Sequence, residues 1–422
     1  MAEHIIVVGA GAAGLMAACE LAGAGRRITI LEARNRCGGR IHSLGAHEFG
    51  CAVELGAEFV HGEAPVTHEV LRKAGLALQT IQGTRWMAEG GGTLSRRDFA
   101  NEHEGDLQAA LQTLTHDMSV AEFLRKNFAD TKYEGMRRSI ERMVEGYDAA
   151  DPQRASIFAL REEWMGGDRG EQARIVGGYG ALVDHLAAEC RRHGVTIHFG
   201  AVVTALEDGG GKISARCADG GTHEGDAAIL TVPLPLLKEI ALPPATREKV
   251  AGADIGFGNV IKLLLRFDSR WWLAARRELA DLTFVLSEQK IPVWWTQHPD
   301  ELPLLTGWYG GPKTKALAHL SEHELIETGL SSLAAIFGRP VERLRPHLQA
   351  ARAIDWAQDP FAQGAYSWAT TATRGAQAAL TRDDGGAIFF CGEALYRGRD
   401  MGTVEAALAN GRDTAQAIIR GA

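Results

Sequence analysis

Three glycines near the start of the chain have the spacing of a phosphate-binding turn. Gly9, Gly11 and Gly14 follow an apolar run and accompany a predicted helix from about Gly11 to Ala24. This spacing lets the chain turn tightly, brings backbone N–H groups close to a pyrophosphate and lets the helix pack on the strand. Glu32 ends the next predicted strand, where its carboxylate can accept hydrogen bonds from both ribose hydroxyls of an adenosine. Together these features predict a dinucleotide site.

A basic, glycine-rich loop follows the predicted ribose-binding acid. Its sequence, RCGGR, contains Arg36, Gly38, Gly39 and Arg40. The glycines let the loop run beside a pyrophosphate and a ribityl chain, and Arg40 can supply charge-assisted hydrogen bonds there. The loop therefore favours FAD over NAD as the dinucleotide.

Several motifs resemble those of the flavin amine oxidase family, which includes monoamine oxidases, polyamine oxidases and lysine-specific histone demethylases. Near the start these are GAGAAGL, EARNRCGGR and ELGAEFVHG. Later in the chain they are RIVGGYGALVDHL, ILTVPLPLLK, GFGNVIKLLLRF and the terminal block FFCGEALYRGRDMGTVEAALANGRDTAQAI. The resemblance covers nearly everything except the helical middle, and it implies an FAD-dependent amine oxidase.

The resemblance also implies which residues contact FAD. In the family, a glycine–acid pair after the last strand lies near the ribityl chain, and the last helix points at the pyrimidine end of the ring. A helix N-terminus there would stabilise the negative charge that the ring gains on reduction. The implied contacts in this sequence are Gly9, Gly11, Ala13, Gly14, Glu32, Ala33, Arg34, Gly39, Arg40, Gly56, Ala57, Glu58, Val203, Gly392, Glu393, Met401, Gly402, Thr403 and Val404.

Three residues are implied to serve the chemistry. Lys262 lies in the apolar strand VIKLLLRF, where a lysine must extend its ammonium group to solvent or find a partner. The family's lysine at this motif lies behind the flavin and holds a water against N5. His61 falls where polyamine oxidases have a polar residue near the substrate amine. Tyr366 matches an aromatic wall over the flavin, with Trp356 and Trp368 as further candidates. A purely structural role is the alternative for each.

Two positions depart from the monoamine oxidases. Ala365 stands where they have the cysteine that is bonded to the flavin, so FAD is expected to bind non-covalently. Thr403 stands where they have the second aromatic residue of the substrate cage, as in polyamine oxidases and histone demethylases. The cage is therefore expected to be half open.

Composition restricts the other classes of function. The 422 residues, 45% hydrophobic and 23% charged, are enough for two globular domains. A net charge of −8 gives no sequence-wide attraction to nucleic acid or an anionic membrane. The six cysteines lack the spacing of a metal site or a C-x-x-C pair. We therefore expect a cytoplasmic protein without metal, nucleic acid or membrane. The resemblance implies that its partners are a small amine and molecular oxygen, and its oligomeric state stays open.

The order of predicted elements indicates an α/β protein. It is expected to be a two-dinucleotide-binding-domain flavoprotein, with a Rossmann-like FAD domain and an α+β substrate domain that enclose the active site between them. Four later strands are expected to complete the sheet begun by His4–Val8, and these are residues 195–199, 202–206, 213–217 and 227–232. The predicted division assigns residues 1–80, 178–250 and 355–422 to the FAD domain, and 81–177 and 251–354 to the substrate domain.

The implied reaction is hydride transfer to flavin N5 from a carbon next to an amine nitrogen. Imine hydrolysis and reduction of oxygen to hydrogen peroxide would follow. An L-amino acid oxidase, an FAD-dependent dehydrogenase or desaturase, and a flavin-binding interaction protein remain alternatives. The sequence does not choose among a polyamine, an aromatic monoamine, an N-alkyl amine and an amino acid. Glu162, Glu163 and Asp168 are candidate partners for a distal ammonium group.

Overall fold

Two large β-sheets with helices packed on them form the framework of the protein. A computed structural model describes residues 3–89, 92–96, 103–165, 172–382 and 385–421. One sheet has five parallel strands and the other has seven mostly antiparallel strands. This architecture agrees with the predicted α/β class.

The parallel sheet grows from the N-terminal βαβ unit. In spatial order its strands are Ile388–Phe390, Ala227–Leu230, His4–Val8, Arg27–Glu32 and Thr196–Phe199. Residues 5–8 of His4–Val8 and all of Ala227–Leu230 are apolar and buried because both faces of the sheet are covered. Helices Ala12–Gly23, Tyr179–Arg192 and Val404–Arg420 cover one face. The carboxyl ends of the strands, where Glu32 lies, therefore meet at one edge of the sheet.

The prediction that four later strands would complete this sheet was wrong for two of them. Val203–Asp208 and Ile213–Cys217 pair with Thr222–Gly225 in a separate antiparallel sheet of three strands. The physical reason is visible in their burial, which alternates along Ile213–Cys217, whereas every residue of Ala227–Leu230 is buried. Alternation is typical of a sheet with one solvated face, and the apolar face here packs against the other side of the parallel sheet.

The seven-stranded sheet carries the predicted catalytic lysine. In spatial order its strands are Leu348–Asp355, Val260–Phe267, Leu304–Gly310, Val293–Trp295, Leu282–Leu286, Thr84–Ala88 and Leu94–Arg96. Helix Glu322–Phe337 packs on one face, and a capping box at Ser321 fixes its start. Val260–Phe267 has a neighbouring strand on each side, so Lys262 does not lie on an edge strand. The predicted domain boundaries stay a prediction.

The middle of the chain is helical, as its periodicity predicts. Its helices are Glu104–Gln112, Val120–Asn127, Glu134–Gly146 and Ile157–Met165, and they bury a common apolar core. The remaining helices are Ala46–Phe49, Pro65–Ala74, Leu234–Leu237, Pro244–Ala251, Trp271–Ala275, Val341–Leu344 and Thr373–Leu380. Three strand pairs complete the fold, and they are Ser43–Leu44 with Val53–Glu54, Leu78–Thr80 with Ala173–Ile175, and Gly256–Gly258 with Tyr366–Trp368. Within the described part of the chain, no helix has the length and apolar character of a membrane span.

Candidate functional site

One continuous cavity of about 1620 Å³ runs from the edge of the parallel sheet to the seven-stranded sheet. Pockets for drug-sized ligands are roughly 300–1,000 Å³. The glycine turn, the RCGGR loop, the helical middle and the start of the last helix all contribute to its wall. The cavity is therefore large enough for a dinucleotide and a second molecule beside it.

The nucleotide end of the cavity is organised around Glu32. Its side chain is 5% exposed, and its two oxygens accept hydrogen bonds from the backbone N–H groups of Ala10, at 2.7 Å, and Arg34, at 2.8 Å. These bonds fix the carboxylate at the carboxyl end of its strand. Arg34 in turn forms a bidentate ion pair with Asp359, at 3.0 and 2.6 Å. The arrangement fits the predicted role of Glu32 as a ribose acceptor.

The glycines of the first turn are required by close backbone contacts. A Cβ atom on Gly14 would lie 2.1 Å from the carbonyl oxygen of Gly9, and one on Gly9 would lie 2.6 Å from Thr231 Oγ1. Gly9 also has a φ of 107°, which L side chains rarely adopt. Gly11 lines the cavity, with no atom closer than 4.0 Å to its hypothetical Cβ. The turn is thus closely packed on the side away from the cavity and unobstructed on the side that faces it, as a phosphate-binding turn must be.

The two arginines of the RCGGR loop have different roles. Arg36 donates to the carbonyl oxygens of Ile41 and Gly39, both at 2.9 Å, and so holds the loop together. Arg40 lines the cavity and donates at 2.8 Å both to Glu393 and to the carbonyl of Ala365. It presents a cation close to the predicted pyrophosphate path.

The last helix begins at the cavity wall. Its N-cap is Thr403, whose hydroxyl accepts a hydrogen bond from the Ala406 N–H at 3.1 Å. Gly402 precedes it with a φ of 87°, and a Cβ there would lie 2.7 Å from the Ser367 carbonyl oxygen. This 17-residue helix directs the positive end of its dipole into the cavity. A ring that gains negative charge on reduction would be stabilised at this position.

Lys262 is buried at the wall of the same cavity. Its side chain is 1% exposed, and its ammonium group donates to Glu58 at 2.8 Å and to the Gly56 carbonyl at 3.0 Å. Of the two predicted alternatives, the structure shows the second: Lys262 finds partners and does not extend to solvent. The Trp295 ring lies 5.5 Å from the ammonium nitrogen.

Aromatic side chains form the wall beyond Lys262. Tyr366 and Trp308 stack with ring centroids 6.4 Å apart at 20°, and Trp295 lies 5.8 Å from Trp308. Trp356 and Trp368 also line the cavity, as predicted. Burial raises the pKa of the Tyr366 hydroxyl well above its usual value, so the phenol stays neutral. The part of the chamber beside Lys262 is therefore lined by neutral aromatic side chains.

His61 faces this chamber in its neutral form. Burial lowers its pKa to about 4, so the imidazole is uncharged at neutral pH. Its Nδ1 lies 3.3 Å from the Tyr147 hydroxyl and 3.4 Å from the Gln172 amide nitrogen. His61 is thus placed to exchange a hydrogen bond with a polar group in the chamber.

Two carboxylates line the cavity near the aromatic wall. Burial, and next the proximity of Glu163, raise the pKa of Asp148 well above its usual value. Asp148 also raises the pKa of Tyr366, which shows that the acid lies close to the aromatic wall. Tyr147 is 47% exposed, and it lines the cavity beside these acids. Asp148 therefore favours its neutral form unless a cation lies beside it.

The structure brings together nearly all of the predicted site residues. Every one of them lines the cavity except Gly14, which packs behind it. Glu163 also lines it, whereas Glu162 forms an ion pair with Arg374 at the surface, at 2.6 Å. Asp168 lies outside the described residues. Which of these residues touch FAD or substrate stays a prediction.

Sequence reasoning missed Asp148, Tyr147, Trp295 and Trp308. Trp308 pairs directly across the sheet with Lys262, so strand pairing could have indicated it. Asp148 and Tyr147 follow helix Glu134–Gly146 and belong to none of the recognised motifs, so the sequence offered no signal for them.

Comparisons with known proteins identify the family of this chain. The sequence profile of the family described as "Flavin containing amine oxidoreductase" matches residues 12–419. "Lysine-specific histone demethylase 1 homolog 3" of Arabidopsis thaliana is 26% identical over 480 residues, which cover 94% of this chain and 28% of that protein. "Probable polyamine oxidase 4" of the same organism is 28% identical over 309 residues, covering 64% of this chain and 59% of that protein. The chain thus spans less than two thirds of either relative.

Solved structures show the same fold. Putrescine oxidase, wild type bound to putrescine, superposes with a TM-score of 0.80 at 21% identity over 99% of each chain. Cyclohexylamine oxidase from Brevibacterium oxydans IH-35A superposes with a TM-score of 0.81 at 19% identity over 100% of this chain and 99% of that one. Because the family profile covers nearly the whole chain, the protein belongs to the flavin-containing amine oxidoreductase family, and its cofactor is FAD.

Proposed function

We propose that the protein is an amine oxidase that removes a hydride from the carbon next to an amine nitrogen and passes the electrons to oxygen. The observation that carries the proposal is the continuity of the cavity. A nucleotide cradle at one end leads, past Lys262, into a chamber lined by Tyr366, Trp308 and neutral His61. Such a chamber accepts an uncharged amine and excludes water from the reacting carbon.

FAD would be held by the residues of the nucleotide end. Glu32 would accept the ribose hydroxyls, and the glycine turn and Arg40 would face the pyrophosphate. None of the described residues that line the cavity is a cysteine, and Ala365 offers no thiol. This supports non-covalent binding, without a thioether. When bound, FAD supplies the two-electron acceptor that no amino-acid side chain provides.

The remaining roles fall to residues of the chain. Tyr366 and Trp308 would hold the uncharged amine by apolar contact with their rings. His61, whose Nδ1 faces the Gln172 amide nitrogen, would carry its proton on Nε2 and could donate it in a hydrogen bond that orients the substrate. Lys262 would hold the water that hydrolyses the imine to an aldehyde or ketone. The scheme requires no charged protein base.

The acids near the aromatic wall, Asp148 and Glu163, favour a substrate with a second amino group. Burial and the nearby Glu163 raise the pKa of Asp148, so a positive charge beside it would favour its ionised form. A distal ammonium group placed next to Asp148 would supply such a charge. We therefore propose a diamine or polyamine as the substrate class.

Replacing Asp148 with asparagine is expected to raise KM for diamines roughly 10- to 100-fold, because a charge-assisted hydrogen bond of about 1.5–3 kcal/mol is lost. KM for a monoamine of similar bulk should change little, and kcat for both should be nearly unchanged. Steady-state kinetics with putrescine and benzylamine measure both values. Glu162→Gln is the matched control, since Glu162 is paired with Arg374 at the surface. Equal losses for the two amines would show that Asp148 does not bind a distal ammonium.

An L-amino acid oxidase is the second candidate. Arg85, Arg138 and Arg142 line the cavity, and an amino acid substrate requires a cation for its carboxylate. Measuring hydrogen peroxide released with amines and with L-amino acids separates the candidates. Peroxide with amines alone supports the proposal, peroxide with amino acids alone supports the alternative, and absence of peroxide with either contradicts both.

A further inference from the structure

Glu58 accepts hydrogen bonds from several buried side chains, and the proposed reaction gives it no role. One of its oxygens accepts from the Lys262 ammonium at 2.8 Å. The other accepts from Arg174 Nε and from Trp295 Nε1, both at 2.9 Å. Its side chain is 5% exposed and that of Lys262 is 1% exposed. Glu58 thereby ties a loop of the nucleotide end to the strand that carries Lys262.

Burying this ion pair is not explained by stability. Taking two charges out of water costs free energy that their attraction only roughly repays, and well-packed apolar residues often serve as well. Arg174 already gives the carboxylate a counter-charge, at an ion-pair distance of 2.9 Å. Although burial opposes ionisation, Lys262 and Arg174 lower the pKa of Glu58 to about 2. The carboxylate is thus ionised across the whole range of working pH.

The direction of the Lys262 side chain is also fixed by these contacts. Its nitrogen is held between the Glu58 carboxylate and the Gly56 carbonyl, and both acceptors come from the segment ELGAEFVHG. Two of the three ammonium protons are therefore donated in hydrogen bonds to these acceptors. The third can be donated to a group in the cavity that Lys262 lines.

We propose that Glu58 is the positioning residue of Lys262, holding its ammonium group charged and fixed in direction at the wall of the cofactor cavity. The inference rests on the proposed function, in which Lys262 serves the chemistry beside the flavin. The wall of the cofactor cavity then carries an ammonium group paired with a carboxylate and with one directed N–H donor, rather than an isolated cation.

An amide cannot replace this carboxylate. The two sides of Glu58 both accept hydrogen bonds, from Lys262 on one side and from Arg174 and Trp295 on the other. Glutamine has one accepting oxygen and one donating nitrogen, so one side would place donor against donor. In Glu58→Gln the buried ammonium loses its counter-charge, and a buried lysine without one releases its proton at lower pH.

The test measures how fast the dithionite-reduced holoenzyme is reoxidised by oxygen between pH 6 and pH 9. The parent, Glu58→Gln, Lys262→Met and the double variant are compared by stopped-flow absorbance. The charged groups that face Lys262 are Glu58 and Glu54, with Arg174 behind Glu58; burial raises the pKa of Glu54 to about 7. Glu54 is present in all four proteins, so only an ionisation that disappears with Lys262 belongs to Lys262.

We expect Glu58→Gln alone to show a rate that falls at least 10-fold as pH rises through this range. Lys262→Met and the double variant should be slow at every pH, without that step. Glu58→Asp, which keeps the charge, should restore most of the parent profile. An unchanged pH profile in Glu58→Gln, or a step that persists in the double variant, would overturn the proposal.

The same four proteins provide a second reading that needs no oxygen. The absorption spectrum of the oxidised flavin is recorded across the pH range, and a shift confined to Glu58→Gln is expected. Because dithionite supplies the electrons, neither measurement depends on an amine substrate. If no amine reduced the enzyme, the proposed function would be refuted. The pH profiles would still decide whether Glu58 positions Lys262.

Discussion

Replacing Lys262 with methionine is expected to slow reoxidation of the reduced flavin by oxygen roughly 10²- to 10³-fold. Removing one preorganised hydrogen-bond donor from a water-excluded active site typically slows a reaction by this factor. Reduction by the amine should slow much less, because the proposed hydride transfer needs no proton from Lys262. The fold should survive the change, since Glu58 keeps its bonds to Arg174 and Trp295. Double-mixing stopped-flow absorbance measures the two half-reactions separately.

The control for this variant is Lys73→Met. Lys73 is 60% exposed on helix Pro65–Ala74, paired with Glu69, and does not line the cavity. Both half-reactions should match the parent there. If Lys262→Met also reoxidised at the parent rate, Lys262 would be a structural residue and the proposed role would be wrong.

Replacing Glu32 with alanine is expected to weaken FAD binding at least 10²-fold. Two hydrogen bonds from ribose to a charged acceptor are lost, each contributing about 1.5–3 kcal/mol. The N–H groups of Ala10 and Arg34 also lose the acceptor that organises the turn. Titration of the apoprotein with FAD, followed by quenching of flavin fluorescence, gives the dissociation constant.

Glu20→Ala is the matched control for the cofactor site. Glu20 lies on helix Ala12–Gly23, which begins at the same turn, but it pairs with Arg412 and does not line the cavity. Its FAD affinity should equal that of the parent. The thermal unfolding temperature of each apoprotein separates loss of affinity from loss of fold, and an unaltered affinity in Glu32→Ala would show that Glu32 does not bind the ribose.

The nucleotide end could be predicted from sequence because its determinants are local. The glycine spacing and the acid at the end of the next strand lie within 24 residues of each other, and the strand bounds His4–Val8 and Arg27–Glu32 follow from a simple apolar pattern. Short spacing leaves few alternative arrangements of such a unit.

The separate three-stranded sheet shows where strand prediction fails. The apolar pattern of Val203–Asp208 and Ile213–Cys217 identified them as strands, but it did not identify their partners. Pairing depends on which strands meet across long stretches of chain. The alternating burial of Ile213–Cys217 distinguishes it from the fully buried strand Ala227–Leu230 of the parallel sheet.

The partner of Lys262 was equally hidden. The sequence indicated that a lysine among apolar residues must extend to solvent or find a partner, but its partner, Glu58, lies 204 positions away. It had been assigned only to the cofactor. Asp148 was missed because an acid after a helix is ordinarily a solvated residue, and only the fold places it in a cavity.

The most direct test of the central claim is an anaerobic titration of the oxidised holoenzyme with putrescine, spermidine, benzylamine and a set of L-amino acids. We predict that the flavin absorbance near 450 nm bleaches with the diamine and the polyamine, and that air then restores it with release of hydrogen peroxide. A flavin that dithionite reduces but that no amine bleaches would contradict the account.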